Sequence, residues 1–85
     1  MTEAQQRVVF SRNLRKLLHK NEATQKEVAD AIGVSPQTFN TWCKAIAIPR
    51  MGKVAALAQY FGVNKSDLLE EDPLPAGAIP LPAQP

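Results

Sequence analysis

Nine residues from Pro36 to Lys44, PQTFNTWCK, mix large apolar side chains with short polar ones in a helical rhythm. Phe39, Trp42 and Cys43 stand at i, i+3 and i+4 and define one face. Gln37, Thr41 and Lys44 therefore point the other way, flanked by Thr38 and Asn40. Short hydrogen-bonding side chains of this kind can read the edges of nucleic-acid bases. Gln suits adenine, and Thr brings both a hydroxyl and a methyl to thymine. The plain alternative is a solvated helix face, which the same residue types also make.

Such a face is useful only if neighbouring elements hold it. Upstream, Val28, Ala29 and Ile32 repeat at helical spacing, so Gln25 to Ile32 reads as a helix with one apolar stripe. Thr24 caps it, and Glu27 three residues on completes a capping-box pattern. Gly33 follows where a helix end takes a left-handed residue. Ser35-Pro36 then supplies an N-cap and a first helical position that needs no amide hydrogen. Two short helices joined by a three-residue, Gly-containing turn form a helix-turn-helix unit.

Counted from Gln25, apolar residues occupy the fourth, eighth, tenth, fifteenth and eighteenth positions (Val28, Ile32, Val34, Phe39, Trp42), with Ala29 fifth and Gly33 ninth. Ala29 lets the two helices cross closely, and Val28, Ile32, Val34, Phe39 and Trp42 fill the space between them. With this spacing the chain resembles the lambda-repressor-like, Cro/C1-type helix-turn-helix family. VSPQTFNTW followed by IAIPRMGKVAALAQYFGVNKSDLLE is similar to the N-terminal domain of temperate-phage repressors from Gram-positive hosts. The resemblance runs from about Phe10 to Glu70. It implies an all-α, five-helix DNA-binding domain whose second motif helix enters the major groove of double-stranded DNA. It further implies a transcriptional repressor that works as a dimer by occupying an operator.

On this resemblance Gln37, Thr38, Asn40, Thr41 and Pro36 are the base-reading candidates. Gln25, with the amides around it, meets a phosphate, which the positive end of a helix favours. Lys26 stands beside it. Lys44, Arg50 and Lys53 flank the far end of the recognition helix and would clamp the DNA backbone; each could equally be an ordinary basic surface residue. Two positions depart from the family. Its common W-E-x-G pattern has Cys43 and Ala45 here, so the loop must leave the helix without glycine. Pro36 stands where many relatives carry a polar reading side chain; it leaves hydrogen bonding to Gln37 and Thr41 and offers only apolar contact to a thymine methyl.

The remaining elements follow from pattern. Residues 1–6 read as a frayed arm. A first helix is expected from about Gln6 to Lys20, with Phe10, Leu14, Leu17 and Leu18 inward and Arg12, Arg15 and Lys16 outward. Val8 and Val9 are adjacent, so at least one lies off the main core. Asn21, Glu22 and Ala23 connect to the motif. Pro49 bars a continuous helix after Lys44. A fourth helix begins near Met51 or Gly52, with Val54, Leu57, Ala58 and Phe61 as its stripe, and Gly62 ends it. Asn64 caps a short fifth helix, with Asp67 at the reciprocal position and Leu68 and Leu69 inward. From Pro73 the chain becomes PLPAGAIPLPAQP, rich in proline and free of charge, which reads as an extended linker or tail. The expected division is residues 1–72 as the DNA-binding domain and 73–85 as the linker.

Charge is distributed unevenly. Residues 4–65 hold all ten Lys and Arg against three acids, leaving +7, and four acids then cluster at Asp67, Glu70, Glu71 and Asp72. A basic body suits a polyanion partner. One cysteine and one histidine support neither an internal disulfide nor a zinc site. Cys43 reads as an inert core thiol, Trp42 as core rather than a stacking residue, and His19 as a cation near a helix end. No apolar run approaches the ~18 residues of a membrane span, and MTEAQQR lacks a signal peptide's layout. The expected setting is a reducing bacterial cytoplasm. No phosphate loop, carboxylate pair or nucleophile motif points to an enzyme, and no cofactor is expected. Ala76-Gly77 matches the dipeptide at which self-cleaving relatives are cut, but the cleaving domain is not in this sequence. A different reading remains: a protein-interaction module whose acidic end and proline-rich tail bind an antirepressor or other protein.

Overall fold

Among residues 2–70, four of the five helices stop at a left-handed residue, and the four stops share one hydrogen-bond geometry. In the computed structural model, which describes residues 2–70, the order is α1 (Glu3–Lys20), α2 (Gln25–Ile32), α3 (Pro36–Cys43), α4 (Met51–Phe61) and α5 (Ser66–Leu69). After α2, Gly33 takes φ 78°, Val34 N–H donates to Ala29 O and Gly33 N–H to Asp30 O. This is the Schellman arrangement, which satisfies carbonyls that a helix end would otherwise leave bare. Gly62 repeats it after α4 at φ 70°, with Val63 donating to Ala58 O. Glu22 at φ 52° and Ala45 at φ 61° make the same stop after α1 and α3 without being glycine.

The helix starts are as local. Thr24 Oγ1 accepts from Glu27 N–H at 3.1 Å, and Glu27 Oε1 accepts from Thr24 N–H at 2.8 Å, the reciprocal cap expected from sequence. Ser35 Oγ accepts from Thr38 N–H at 3.1 Å, with Pro36 in the first turn. Two starts differ from expectation. Residues 2–6 are not an arm: α1 begins at Glu3 because Thr2 and Gln5 form their own capping box, at 2.9 and 3.1 Å. The α5 cap is only half formed. Asp67 Oδ2 accepts from Asn64 N–H at 2.8 Å, but the Asn64 side chain makes no cap bond, and the helix starts later, at Ser66.

Phe10, Leu14, Val28, Phe39, Val54, Leu57 and Leu68 are fully buried and draw one core from all five helices. Truncating either of the phenylalanines would cost about 3–5 kcal/mol. Helix α1 packs on α3 and α5, and α2 packs on α3 and α4. Leu17, Phe61 and Leu69 sit at the rim of the core, half-buried. Val9 is buried apart from the central cluster and Val8 is exposed.

One polar contact crosses most of the chain. Asn13 is 3% exposed, and its Nδ2 donates to Leu68 O at 3.0 Å and Glu70 O at 2.8 Å. A single amide therefore binds the end of α5 to the middle of α1. The linker and the division at Asp72 lie outside the described residues.

Candidate nucleic-acid interface

Helix α3 presents two chemically distinct faces because its apolar face is fixed from below. Phe39 is fully buried, Trp42 is 4% exposed and Cys43 5%. The Phe39 and Trp42 rings pack with centroids 5.5 Å apart and tilted by 50°. With that side held, Pro36, Gln37, Thr38 and Lys44 are exposed and Asn40 and Thr41 half-buried. The α3 residues singled out from sequence thus lie outside its buried face, exposed or half-buried.

Their hydrogen bonds differentiate them. Among the described residues Gln37 has no internal partner and keeps both amide donor and acceptor available. Ser35 Oγ donates to Thr38 Oγ1 at 3.0 Å, which ties Thr38 to the cap. Thr41 Oγ1 donates to Thr38 O at 2.6 Å. Asn40 Nδ2 donates to Gln25 Oε1 at 3.0 Å, joining the middle of α3 to the start of α2. Gln25 is half-buried in the first turn of α2, next to amides that have no intrahelical acceptor.

The basic candidates separate in the same way. Lys44 and Arg50 are exposed on either side of the loop that follows α3. Lys26 lies on the outer side of α2, 3.4 Å from Asp30 Oδ2 in an exposed pair that contributes little to stability. Lys53 is turned inward: its Nζ donates to Ile32 O at 2.8 Å, and the side chain is half-buried. The Ile32 carbonyl is among those that the Schellman turn leaves over, and a cation at a helix C-terminus is favourable. Sequence pattern gave no sign of this bond, because it depends on how α4 lies across α2.

The loop after α3 resolves the missing glycine. Ala45 itself adopts the left-handed conformation, with Ile46 N–H donating to Thr41 O at 2.9 Å. The path is the one glycine would take, at a cost in backbone strain. Cys43 beneath it is pushed up from 9.0 to about 11, because burial disfavours the thiolate more than the Arg15 charge favours it. The thiol stays protonated, which fits an inert core residue. Among the described residues no group of His, Cys, Asp and Glu is arranged to hold a metal ion. No described helix is long and apolar enough to cross a membrane.

Comparison with known proteins agrees with this geometry. Residues 13–73 match the family model of the Cro/C1-type HTH DNA-binding domain. Over 63 residues the chain is 32% identical to the cryptic phage CTXphi transcriptional repressor RstR of Vibrio cholerae, covering 74% of this chain. It spans 57% of that relative's length. The solution structure of the SOS-response transcriptional repressor LexA from Eubacterium rectale superposes with a TM-score of 0.80. That protein is 58% identical, over 93% of this chain and 84% of its own.

Proposed function

We propose, since the chain belongs to the Cro/C1-type helix-turn-helix DNA-binding domain family, that it is a sequence-specific repressor of transcription of the phage lysogeny type. The observation that carries the reading is the two-faced α3. Phe39, Trp42 and Cys43 anchor one side, which leaves Gln37, Thr38, Asn40 and Thr41 as polar groups away from it, beside the apolar ring of Pro36.

In this reading α3 lies in the major groove. Gln37, with both ends of its amide unspent, makes the most discriminating contact. The groove offers adenine's N7 acceptor and N6 donor side by side, which a primary amide matches. Gln25 and Lys26 meet a phosphate at the start of α2, with Asn40 holding the Gln25 amide in place. Lys44 and Arg50 contact the backbone beyond α3. Lys53 contributes through Ile32, by fixing the motif against α4.

One recognition helix reads too few base pairs to select a site in a genome. The chain accordingly acts as a two-fold dimer on a palindromic operator, with half-sites about 34 Å or a multiple apart. Repression follows from occupancy, which excludes polymerase. The test is selection of duplexes from a random pool, followed by footprinting. A palindromic consensus protected on both half-sites supports the proposal. A single asymmetric half-site at saturation sinks the dimer, and binding that ignores salt favours an apolar protein partner over DNA, because phosphate contacts release counterions.

A further inference from the structure

The hydroxyl of Thr41 has a fixed polarity. Its Oγ1 lies 2.6 Å from Thr38 O. A carbonyl oxygen has no proton to give, so in this bond Thr41 is the donor and its single hydroxyl proton points back at its own helix. This is the back-bonding rotamer open to threonine in helices. What Thr41 then offers outward is two lone pairs on Oγ1 and a methyl group.

Thr41 stands four residues after Gln37, so the two occupy one face of α3 a turn apart. On the repressor reading above, they address neighbouring base pairs. The base edges in the major groove are unequal partners for a pure acceptor. Adenine N6 and cytosine N4 carry N–H donors; guanine presents the acceptors N7 and O6, and thymine the acceptor O4 beside its methyl. A lone pair facing guanine O6 or thymine O4 is repelled.

We propose that Thr41 is a specificity-determining residue that accepts a hydrogen bond from an exocyclic base amine, and so selects adenine or cytosine at one position of each half-site. The bond completes a chain in which the base amine donates to Thr41 Oγ1, which donates to Thr38 O. Each link polarises the next. To donate to guanine, the hydroxyl would have to give up its bond to Thr38 first. Threonine is usually credited with reading either kind of edge; here the helix has already assigned its proton.

The test compares the wild type, Thr41→Val and Thr41→Ser in parallel selections from a random duplex pool. Valine keeps the shape and a methyl but has no lone pair; serine keeps the oxygen and loses the methyl. The expected result is a wild-type position restricted to A or C, flattened about threefold to tenfold in Thr41→Val, the loss of one hydrogen bond, and retained in Thr41→Ser. Restriction to G or T at the position that Thr41→Val flattens overturns the proposal. So does Thr41→Val with unchanged preferences, which would assign the reading to the methyl, or Thr41→Ser flattened as far as Thr41→Val, which would mean that the oxygen alone does not carry it. A wild-type pool with no consensus at all overturns the repressor reading, and this proposal with it.

Discussion

Asn40 Nδ2 donates to Gln25 Oε1 at 3.0 Å, across the two helices of the motif. On the proposed reading the bond joins the base-reading helix to the helix that would meet a phosphate, so the two residues are expected to act together. Replacing Asn40 by Ala should weaken operator binding even though its amide is turned partly toward Gln25, because Gln25 loses its anchor. A double-mutant cycle of Asn40→Ala and Gln25→Ala in DNA binding should give a coupling of about 0.5–3 kcal/mol. Additive losses would mean that the two side chains work separately.

The inward turn of Lys53 leads to a prediction that separates it from its basic neighbours. Lys44→Ala and Arg50→Ala should each weaken binding to all sequences and make the dependence on log salt shallower by about 1. Lys53→Met should weaken binding with the salt slope unchanged, since it removes the support of Ile32 O and not a phosphate contact. Binding isotherms at four or five salt concentrations decide between the two. A shallower slope for Lys53→Met would return it to the phosphate clamp.

Ala45 and Glu22 hold left-handed positions at φ 61° and 52°. The left-handed region costs an L-residue about 1–2 kcal/mol, against roughly 0.5–1 kcal/mol of extra chain entropy for glycine. Ala45→Gly and Glu22→Gly should therefore each stabilise the domain by about 0.5–1 kcal/mol. In a domain of this size that raises the Tm by about 2–8 °C. Thermal unfolding followed by circular dichroism measures it; an unchanged or lower Tm would contradict the strain argument.

Asn13 should behave differently, since it holds two carbonyls at once. Asn13→Ala leaves Leu68 O without its buried donor and should destabilise by about 1–3 kcal/mol. Asn13→Asp should cost more, because a carboxylate cannot donate and repels both oxygens. Urea unfolding gives both values, and an Asp variant as stable as the wild type would show that the clasp is unimportant.

These positions mark how far sequence could be read. The Thr24–Glu27 box, the Gly33 and Gly62 stops, the Ser35-Pro36 start and the burial of Phe39 and Trp42 are set by residues within four positions of one another, and the pattern expresses them directly. Thr2 and Gln5 obey the same rule as Thr24 and Glu27, so the start of α1 is also written in the sequence. Ala45 carries no local mark of its left-handed backbone; only the family's habit of placing glycine there hints at it. Asn13 and Lys53 find their partners 55 and 21 residues away along the chain, through packing that no local pattern encodes. The polar face of α3 was visible as a set of residue types, whereas the direction of the Thr41 proton is a fact of geometry.

The central claim is that the polar face of α3 reads double-stranded DNA, and one titration tests it most directly. The wild type and Gln37→Ala are each titrated, by fluorescence anisotropy, against the selected duplex and a scrambled one at physiological salt. The account predicts wild-type binding to the selected duplex at least about 10³-fold tighter than to the scrambled one. It also predicts that this ratio falls about 5- to 150-fold in Gln37→Ala, the worth of a good bidentate base contact, while binding to the scrambled duplex stays the same. Equal wild-type affinity for both duplexes, or a ratio untouched by removal of the Gln37 amide, would contradict it.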